Sequence, residues 1–370
     1  MPRINPEAET FARIKVFGMG GSGGNAIDHM IRAKVPGVDF VAINTDAQDL
    51  HHSLAPRKIH IGKSATRGLG AGMDPSLGRQ AAEENKNEIT ELVRGVDMVF
   101  IAGGFGGGTC TGAAPVVAEI ARNEGALTVA VVTRPFAFEG SERNRIADEG
   151  LQRLREAVDA MIVIPNDRIL GMIEKKTSFL DAFSKCDEVL RQAVQGISDL
   201  ITLPGIINVD FSDIRAIMKN AGSALMGIGK ATGDDRAIQA AKQAISSPLL
   251  DLSIEGAHGV LFSVAGGDDL TMWEVNEAAK IITESIAKDA KVIFGAVKDD
   301  RLRKGELKIT VVATGFGDGY APITQKSPNL FTALPRKEEM LAPRPIKPSV
   351  EEESSDEWDA IPAFLRRGKK

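Results

Sequence analysis

Cysteine is scarce in this chain: two in 370 residues, Cys110 and Cys186. Two thiols so placed form neither a metal-ligand spacing nor a disulfide framework, so the expected compartment is a reducing cytosol. Long apolar runs are missing as well. No segment approaches the ~20 apolar residues of a membrane helix, and the opening MPRINPEAETF has no apolar core of signal-peptide length. Nor is there an excess of basic charge. Lys and Arg total 45 against 50 Asp and Glu, a net charge of −5, which argues against a nucleic-acid binder. What the chain does have is apolar material, 43% of its residues, and 38 glycines. That is enough for two ordinary domains with sizeable cores.

Short apolar runs alternate with helical patterns from the start. IKVFG (14–18), FVAIN (40–44), MVFIAGG (98–104), TVAVVT (128–133) and MIVIP (161–165) read as strands buried on both faces. NAIDHMIRA, LGRQAAEENKNEITELV, AAPVVAEIARNEG and ADEGLQRLREAVD lie between them and carry helical periodicity. Unalternating strands separated by helices predict a doubly wound α/β domain with a parallel sheet. From Thr177 to Thr202 one long helix is expected, with Leu180, Phe183, Asp187, Leu190, Val194, Ile197 and Ile201 on a single stripe. A smaller α/β unit follows: a short strand IINVD, helices from Phe211 and around Arg236–Ile245, strands GVLFSV, VIFGAV and KITVVAT, and the helix MWEVNEAAKIITESIA, headed by Trp273, which is expected in the core.

Composition changes after that unit. Residues 326–355 hold five prolines and end in EEESS, as a disordered linker does; about 30 flexible residues would reach roughly 30 Å. Beyond it, DEWDAIPAFLRRGKK crowds Trp358, Ile361, Phe364 and Leu365 together. Large apolar side chains at the end of such a tail indicate a docking peptide.

Two glycine-rich stretches stand at strand-to-helix junctions. GMGGSGGN (18–25) admits three readings. Gly18, Gly20 and Gly23 fit G-x-G-x-x-G, with Asp46 at a later strand end as a ribose acid. Gly20, Ser22 and Gly24 fit the G-x-S-x-G nucleophile elbow, although the only late histidine is His258. The third reading is a loop whose amides and following helix N-terminus hold phosphate. GGFGGGTCTG (103–112) also joins a strand to a helix. Only the phosphate reading employs both stretches, converging on one ligand at the edge of a parallel sheet. Neither holds a lysine, so this is no G-x-x-x-x-G-K-[ST] loop. Charge compensation must come from amides, helix dipoles and Mg2+.

GGGTCTG resembles the GGGTGTG signature of the tubulin/FtsZ GTPase family. GGSGGNAIDHM, INTDAQ, GAAPVVAEIA, RPFAFEG, DEVLRQAVQGISDLI, NVDFSDIRAIM and the terminal IPAFLRR resemble its bacterial cell-division branch. The resemblance implies an N-terminal extension (1–13), a GTP-binding domain (14–176), a central helix (177–202), a C-terminal α/β activation domain (203–318), a disordered linker (319–355) and an adaptor-binding peptide (356–370). It implies that GTP, with Mg2+ on its phosphates and no dedicated metal cage, is held by Gly20, Gly21, Ser22, Gly23, Gly24, Asn25, Asn44, Gly106, Gly107, Gly108, Thr109, Cys110, Thr111 and Gly112. Glu139 and Arg143 would lie near ribose and phosphates, and Asn166, Phe183 and Asp187 around the guanine. Asp187 also has an argument of its own. A carboxylate within an apolar stripe is costly unless paired, and guanine N1–H and its amino group would pair it. A salt bridge to a basic neighbour is the alternative.

Asn208, Asp210 and Asp213 sit in NVDFSDIR. Read alone, Asp213 caps a helix. By resemblance, the three enter the nucleotide site of the next subunit, where the two acids polarise the attacking water. The implied product is a head-to-tail filament in the cytoplasmic division ring (Z ring) at midcell. Trp358, Ile361, Pro362, Phe364, Leu365 and Arg366 would dock on a membrane-tethering adaptor such as FtsA or ZipA; membrane contact is indirect, and no nucleic-acid partner is implied. Cys110 stands where the family has glycine. The thiol is expected to be a spectator, with a redox-sensitive site at a helix N-terminus as the sharper alternative. A polymer with hydrolysis weakened by Cys110 is the second functional reading. His51 and His52 are expected at the surface.

Overall fold

The computed structural model describes residues 12–171, 176–203, 205–247, 254–299 and 301–316. The linker and the docking peptide, with Trp358, Ile361, Pro362, Phe364, Leu365 and Arg366, lie outside the described residues.

The strands are β1 (Ile14–Met19), β2 (Val38–Asn44), β3 (Arg57–His60), β4 (Met98–Gly104), β5 (Leu127–Arg134), β6 (Ala160–Pro165), β7 (Gly205–Ile207), β8 (Gly222–Thr232), β9 (Gly259–Gly266), β10 (Lys291–Lys298) and β11 (Glu306–Thr314). The helices are α1 (Gly20–Arg32), α2 (Ala47–His52), α3 (Lys63–Thr66), α4 (Pro75–Glu84), α5 (Lys86–Val93), α6 (Gly108–Asn123), α7 (Ser141–Ala157), α8 (Asn166–Leu170), α9 (Phe179–Thr202), α10 (Phe211–Met218), α11 (Arg236–Ile245) and α12 (Met272–Glu284).

All five strands expected in the first half are present and parallel, joined by β3 at one edge in the order β3-β2-β1-β4-β5-β6. β4 and β5 are buried along nearly their whole length, as strands covered by helices on both faces must be. The single helix expected over LGRQAAEENKNEITELV is two, α4 and α5, divided at Asn85. The reason is tertiary: the Asn85 side chain turns away to accept the Gly62 amide at 3.0 Å.

α9 begins where Ser178 caps it, accepting the Asp181 amide at 3.1 Å. Leu190, Val194 and Ile197 are fully buried as the stripe requires, but Leu180 is 81% exposed, so the helix's first turn projects past the core. Val189, Leu190, Ala193, Val194 and Ile197 share one apolar cluster with Val131 and Ile162 on one side and Met226, Leu261 and Val312 on the other. Each such buried aliphatic contributes roughly 2 kcal/mol, so α9 fastens both halves. The second half adds β8-β11-β9-β10-β7, and β6 pairs with β8, making one eleven-stranded sheet. Its far face packs the alanines of α11 and Val275, Ala278 and Ile282 of α12. Trp273 contradicts the sequence expectation: it is 71% exposed, because it lies beside N-cap Thr271 on the outer face of α12.

Candidate functional site

Four parallel strands, β1, β4, β5 and β6, end at the same edge of the sheet, where open α/β sheets form their crevice. A cleft of about 300 Å³ occupies it. Gly20, Gly21 and Ser22 line it from the start of α1, and Gly107, Gly108, Thr109 and Cys110 from the start of α6. Neither helix has a side-chain cap, and neither has an acid in its first turn. Two uncapped N-termini therefore aim backbone amides and positive dipole ends at one space, which suits an anion, although the Gly108 amide already donates to the Gly72 carbonyl at 2.6 Å. Glu139, Arg143, Asn166, Phe183 and Asp187 close the other side.

The remaining expected GTP residues fall elsewhere. Gly24, Asn25 and Asn44 line a neighbouring pocket of about 200 Å³ that shares Gly20 with the cleft. Gly23 is buried under the loop, where a Cβ would sit 2.5 Å from the Ala102 carbonyl oxygen. Gly106 has a φ of +101° that favours glycine, and its amide donates to Thr111 Oγ1 at 3.0 Å, so Thr111 serves the loop from within. A Cβ on Gly112 would overlap the carbonyl oxygen of Pro75, and one on Gly108 would lie 2.6 Å from the carbonyl oxygens of Ala71 and Asp74. These two glycines let α4 and its preceding loop approach α6. Sequence reasoning missed Gly72, Gly104, Phe105, Thr133, Pro135, Cys186 and Leu190 in the cleft lining. The signal for Thr133 and Pro135 was the end of a parallel strand; Gly72 had none, because its loop follows no strand.

The competing readings of the first loop meet specific obstacles. Asp46 caps α2 by accepting from the Gln48 and Asp49 amides, so it is spent locally. Ser22 Oγ accepts the Gly104 amide at 2.6 Å rather than facing a histidine, and His258 instead lies near Asp289 at 3.7 Å. His51 and His52 are exposed, as expected.

The cleft's polar groups differ in how they are partnered. Glu139 pairs with Arg143 at 2.7 Å and accepts the Phe136 amide at 2.9 Å. Asn166 Oδ1 is buried without a hydrogen-bond partner. Asp187 has neither an ion pair nor a hydrogen bond among the described residues, so the salt-bridge alternative is not realised. Burial pushes its carboxyl up to about 6, with His29 pulling weakly the other way. Two unpartnered acceptors beside Phe183, itself edge-on to Phe136 at 5.3 Å, fit a flat ring that presents N–H donors. Guanine presents them and adenine places an acceptor, N1, at that edge.

Cys110 sits in the first turn of α6 and has no positive φ. Its thiol packs against Gly103, and burial pushes it up. That counts against the alternative of a low-pKa, redox-sensitive thiol at a helix N-terminus: desolvation outweighs the dipole. Burial likewise pushes Cys186 up to about 12. Asn208, Asp210 and Asp213 are all exposed and line neither pocket. Asp210, not Asp213, caps α10, accepting the Ser212 amide at 3.0 Å, while Asn208 Oδ1 accepts the Gly205 amide at 2.6 Å. From Asp187 to the end of α9 is about 22 Å along the helix, and these three residues follow that far end of the helix in the chain. No metal-holding cluster of three His, Cys, Asp or Glu occurs among the described residues, and no helix there is long and apolar enough to cross a membrane.

Residues 13–174 match the tubulin/FtsZ family GTPase domain, and residues 222–317 match the FtsZ family C-terminal domain. Among solved structures, the chain is similar to an empty FtsZ dimer from M. jannaschii at 46% identity and a TM-score of 0.79, covering 83% of this chain and 89% of that one. CetZ2 from Haloferax volcanii, solved as a GTPγS-bound protofilament, shares the fold at 21% identity and a TM-score of 0.71, with 81% and 92% covered.

Proposed function

The chain belongs to the FtsZ branch of the tubulin/FtsZ GTPase family, and from that premise we propose that it is a self-assembling GTPase whose hydrolytic site is completed between copies. GTP lies in the cleft, its guanine between Phe183, Asn166 and Asp187 and its phosphates against the starts of α1 and α6, with Gly24, Asn25 and Asn44 beside them. Mg2+, carried on the phosphates rather than in a protein cage, neutralises charge developing on the transferred group.

One observation carries the shared-site reading. The carboxylates that line the cleft are Glu139, already tied to Arg143 and Phe136, and Asp187 at the base end. Neither is placed to polarise a water at the phosphates, and in the neighbouring pocket Asp49 accepts from the Asn44 side chain at 2.7 Å and Asp28 from Ser53 and Leu54, so both are engaged within the chain. The exposed acids Asp210 and Asp213, with Asn208, follow the far end of α9 and supply that group to the next copy. The surface also carries large apolar side chains. Met73 and Phe138, next in sequence to the cleft-lining Gly72 and Glu139, are exposed, as are Leu69 and Leu180, and so are Ile206 of β7 and Met272 and Trp273 at the start of α12. Different surfaces meeting head to tail make an open filament, and FtsZ from M. jannaschii has been seen as a dimer. The further reading places this filament in the Z ring at midcell, with the docking peptide 356–370 holding an adaptor such as FtsA or ZipA. It divides the chain into a GTP-binding domain (14–176), central helix (177–202) and activation domain (203–318).

GTP hydrolysis measured with Mg2+ across protein concentrations, alongside sedimentation, tests this. Specific activity should rise from near zero above a threshold concentration, together with pelleting. Constant specific activity from dilute protein upward would sink the shared site.

A further inference from the structure

The phosphate half of the cleft has an unusual problem. Neither glycine stretch contains a lysine or arginine, and Arg143, the cation that lines the cleft, is held by Glu139 at 2.7 Å. Apart from any metal ion carried on the phosphates, the protein's own contribution must therefore rest on neutral donors held in fixed positions, since a neutral donor stabilises an anion best where its geometry is set in advance. The two loops that supply those donors are 82 residues apart in sequence, and each begins a separate helix.

Ser22 joins them. Its Oγ accepts the amide of Gly104, the last residue of β4, at 2.6 Å. Gly104 is shaped for this contact: a Cβ there would lie 2.7 Å from Ser22 Oγ, 3.2 Å from Ser22 Cβ and 3.3 Å from Thr133 Oγ1. A serine hydroxyl offers one O–H and two lone pairs. With a lone pair engaged by Gly104, the O–H must point away from that amide. Ser22 is exposed and lines the cleft, and no acceptor for its proton occurs among the described residues.

We infer that Ser22 is a positioning residue and phosphate donor, latching the start of α1 to the end of β4 while turning its hydroxyl proton toward the nucleotide's phosphates. This rests on GTP occupying the cleft as proposed above. The latch sets the spacing between the two helix N-termini before the ligand arrives. The hydroxyl adds a donor where the sequence has no cation. Gly104 is then a glycine because the hydroxyl closes over it.

Equilibrium binding of GTP, GDP and guanosine to the wild type, Ser22→Ala and Gly104→Ala tests the assignment. A hydrogen bond to a charged acceptor, once removed, weakens binding roughly tenfold or more. Ser22→Ala should lose about that factor for GTP and GDP and bind guanosine unchanged, with apo melting within a few degrees of wild type. Gly104→Ala keeps the hydroxyl but pushes it off its seat, and should show the same phosphate-selective loss. Unchanged GTP affinity in Ser22→Ala overturns the donor role. An equal loss for guanosine and GTP overturns it as well, because that pattern marks general damage. Full GTP affinity in Gly104→Ala overturns the latch. A wild type that binds guanosine as tightly as GTP removes the phosphate site itself, and with it the proposed function.

Discussion

Asp187 and Glu188 are neighbours on α9, yet the cleft side and the flank of that helix treat a carboxylate in opposite ways. On the flank, burial works against the Glu188 charge, but bonds from Arg191, Gln192 and His29 overcome it and hold the carboxyl down at about 2. Those contacts are close: Arg191 Nε at 2.7 Å, Gln192 Nε2 at 2.6 Å and His29 Nε2 at 3.0 Å. The chain continues through Arg191 to Gln195, Asp199 and Arg301. On the cleft side Asp187 is half-buried without such help, and desolvation raises it to about 6. A fold that satisfies one acid with three donors and leaves the next with none is reserving the second for a ligand.

The contrast can be broken most sharply at Asp187. Asp187→Asn should weaken GTP at least a hundredfold, because a donor amide then faces guanine's N–H edge, and calorimetric titration would read it. Without nucleotide the same variant should be more stable than wild type at pH 7, on the order of 2 kcal/mol. The sign follows from the raised folded-state value. An acid lifted from 3.8 to about 6 penalises the folded state above pH 6, and the penalty disappears as pH falls from 6 to 4. GTP affinity of the wild type should fall over the same interval as the carboxylate is neutralised. A destabilised apo variant at pH 7 would mean that Asp187 has a structural partner.

Glu188→Gln should do the reverse. It removes a satisfied charge and should destabilise the apo protein by about 2 kcal/mol in urea titration, with GTP affinity changed less than about threefold. Because the Glu188 value is depressed from 4.5 to about 2, its contribution is full above pH 4.5 and lost as pH falls through 2. The smallest effect belongs to Cys110. Cys110→Gly should cost about 1 kcal/mol, as glycine in a helix does, and shift GTP affinity less than about twofold. A large gain in affinity would show that the thiol obstructs the nucleotide.

The first half was legible because its strands are continuous aliphatic runs and its helices have clear periods. β8 was not. GSALMGIGKAT interleaves glycine with apolar residues and lacks strand alternation. Gly229 is there because a Cβ would overlap the Ala240 carbonyl of α11, a demand made by a helix that follows it in sequence. The exposure of Trp273 and Leu180 was hidden for a related reason: periodicity assigns a face, but not how far an element extends beyond the core. The glycine stretches were read as ligand contacts throughout. Gly21 and Gly107 do line the cleft, whereas Gly23 and Gly112 serve contacts within the chain, and a glycine letter carries no mark of which kind it is.

The junction between the two halves of the sheet has a mechanical consequence. β6 and β8 are joined by three registered pairs, from Ala160–Gly222 to Ile162–Ala224, whereas β8 and β11 share eight. A subunit gripped at both ends by its neighbours would carry tension across that short seam. α9 runs alongside it and is packed into both halves, so seam and helix bear the load in parallel, as a stitched joint backed by a tie-rod. Stretching the subunit then requires shearing strand bonds and sliding a buried helix together.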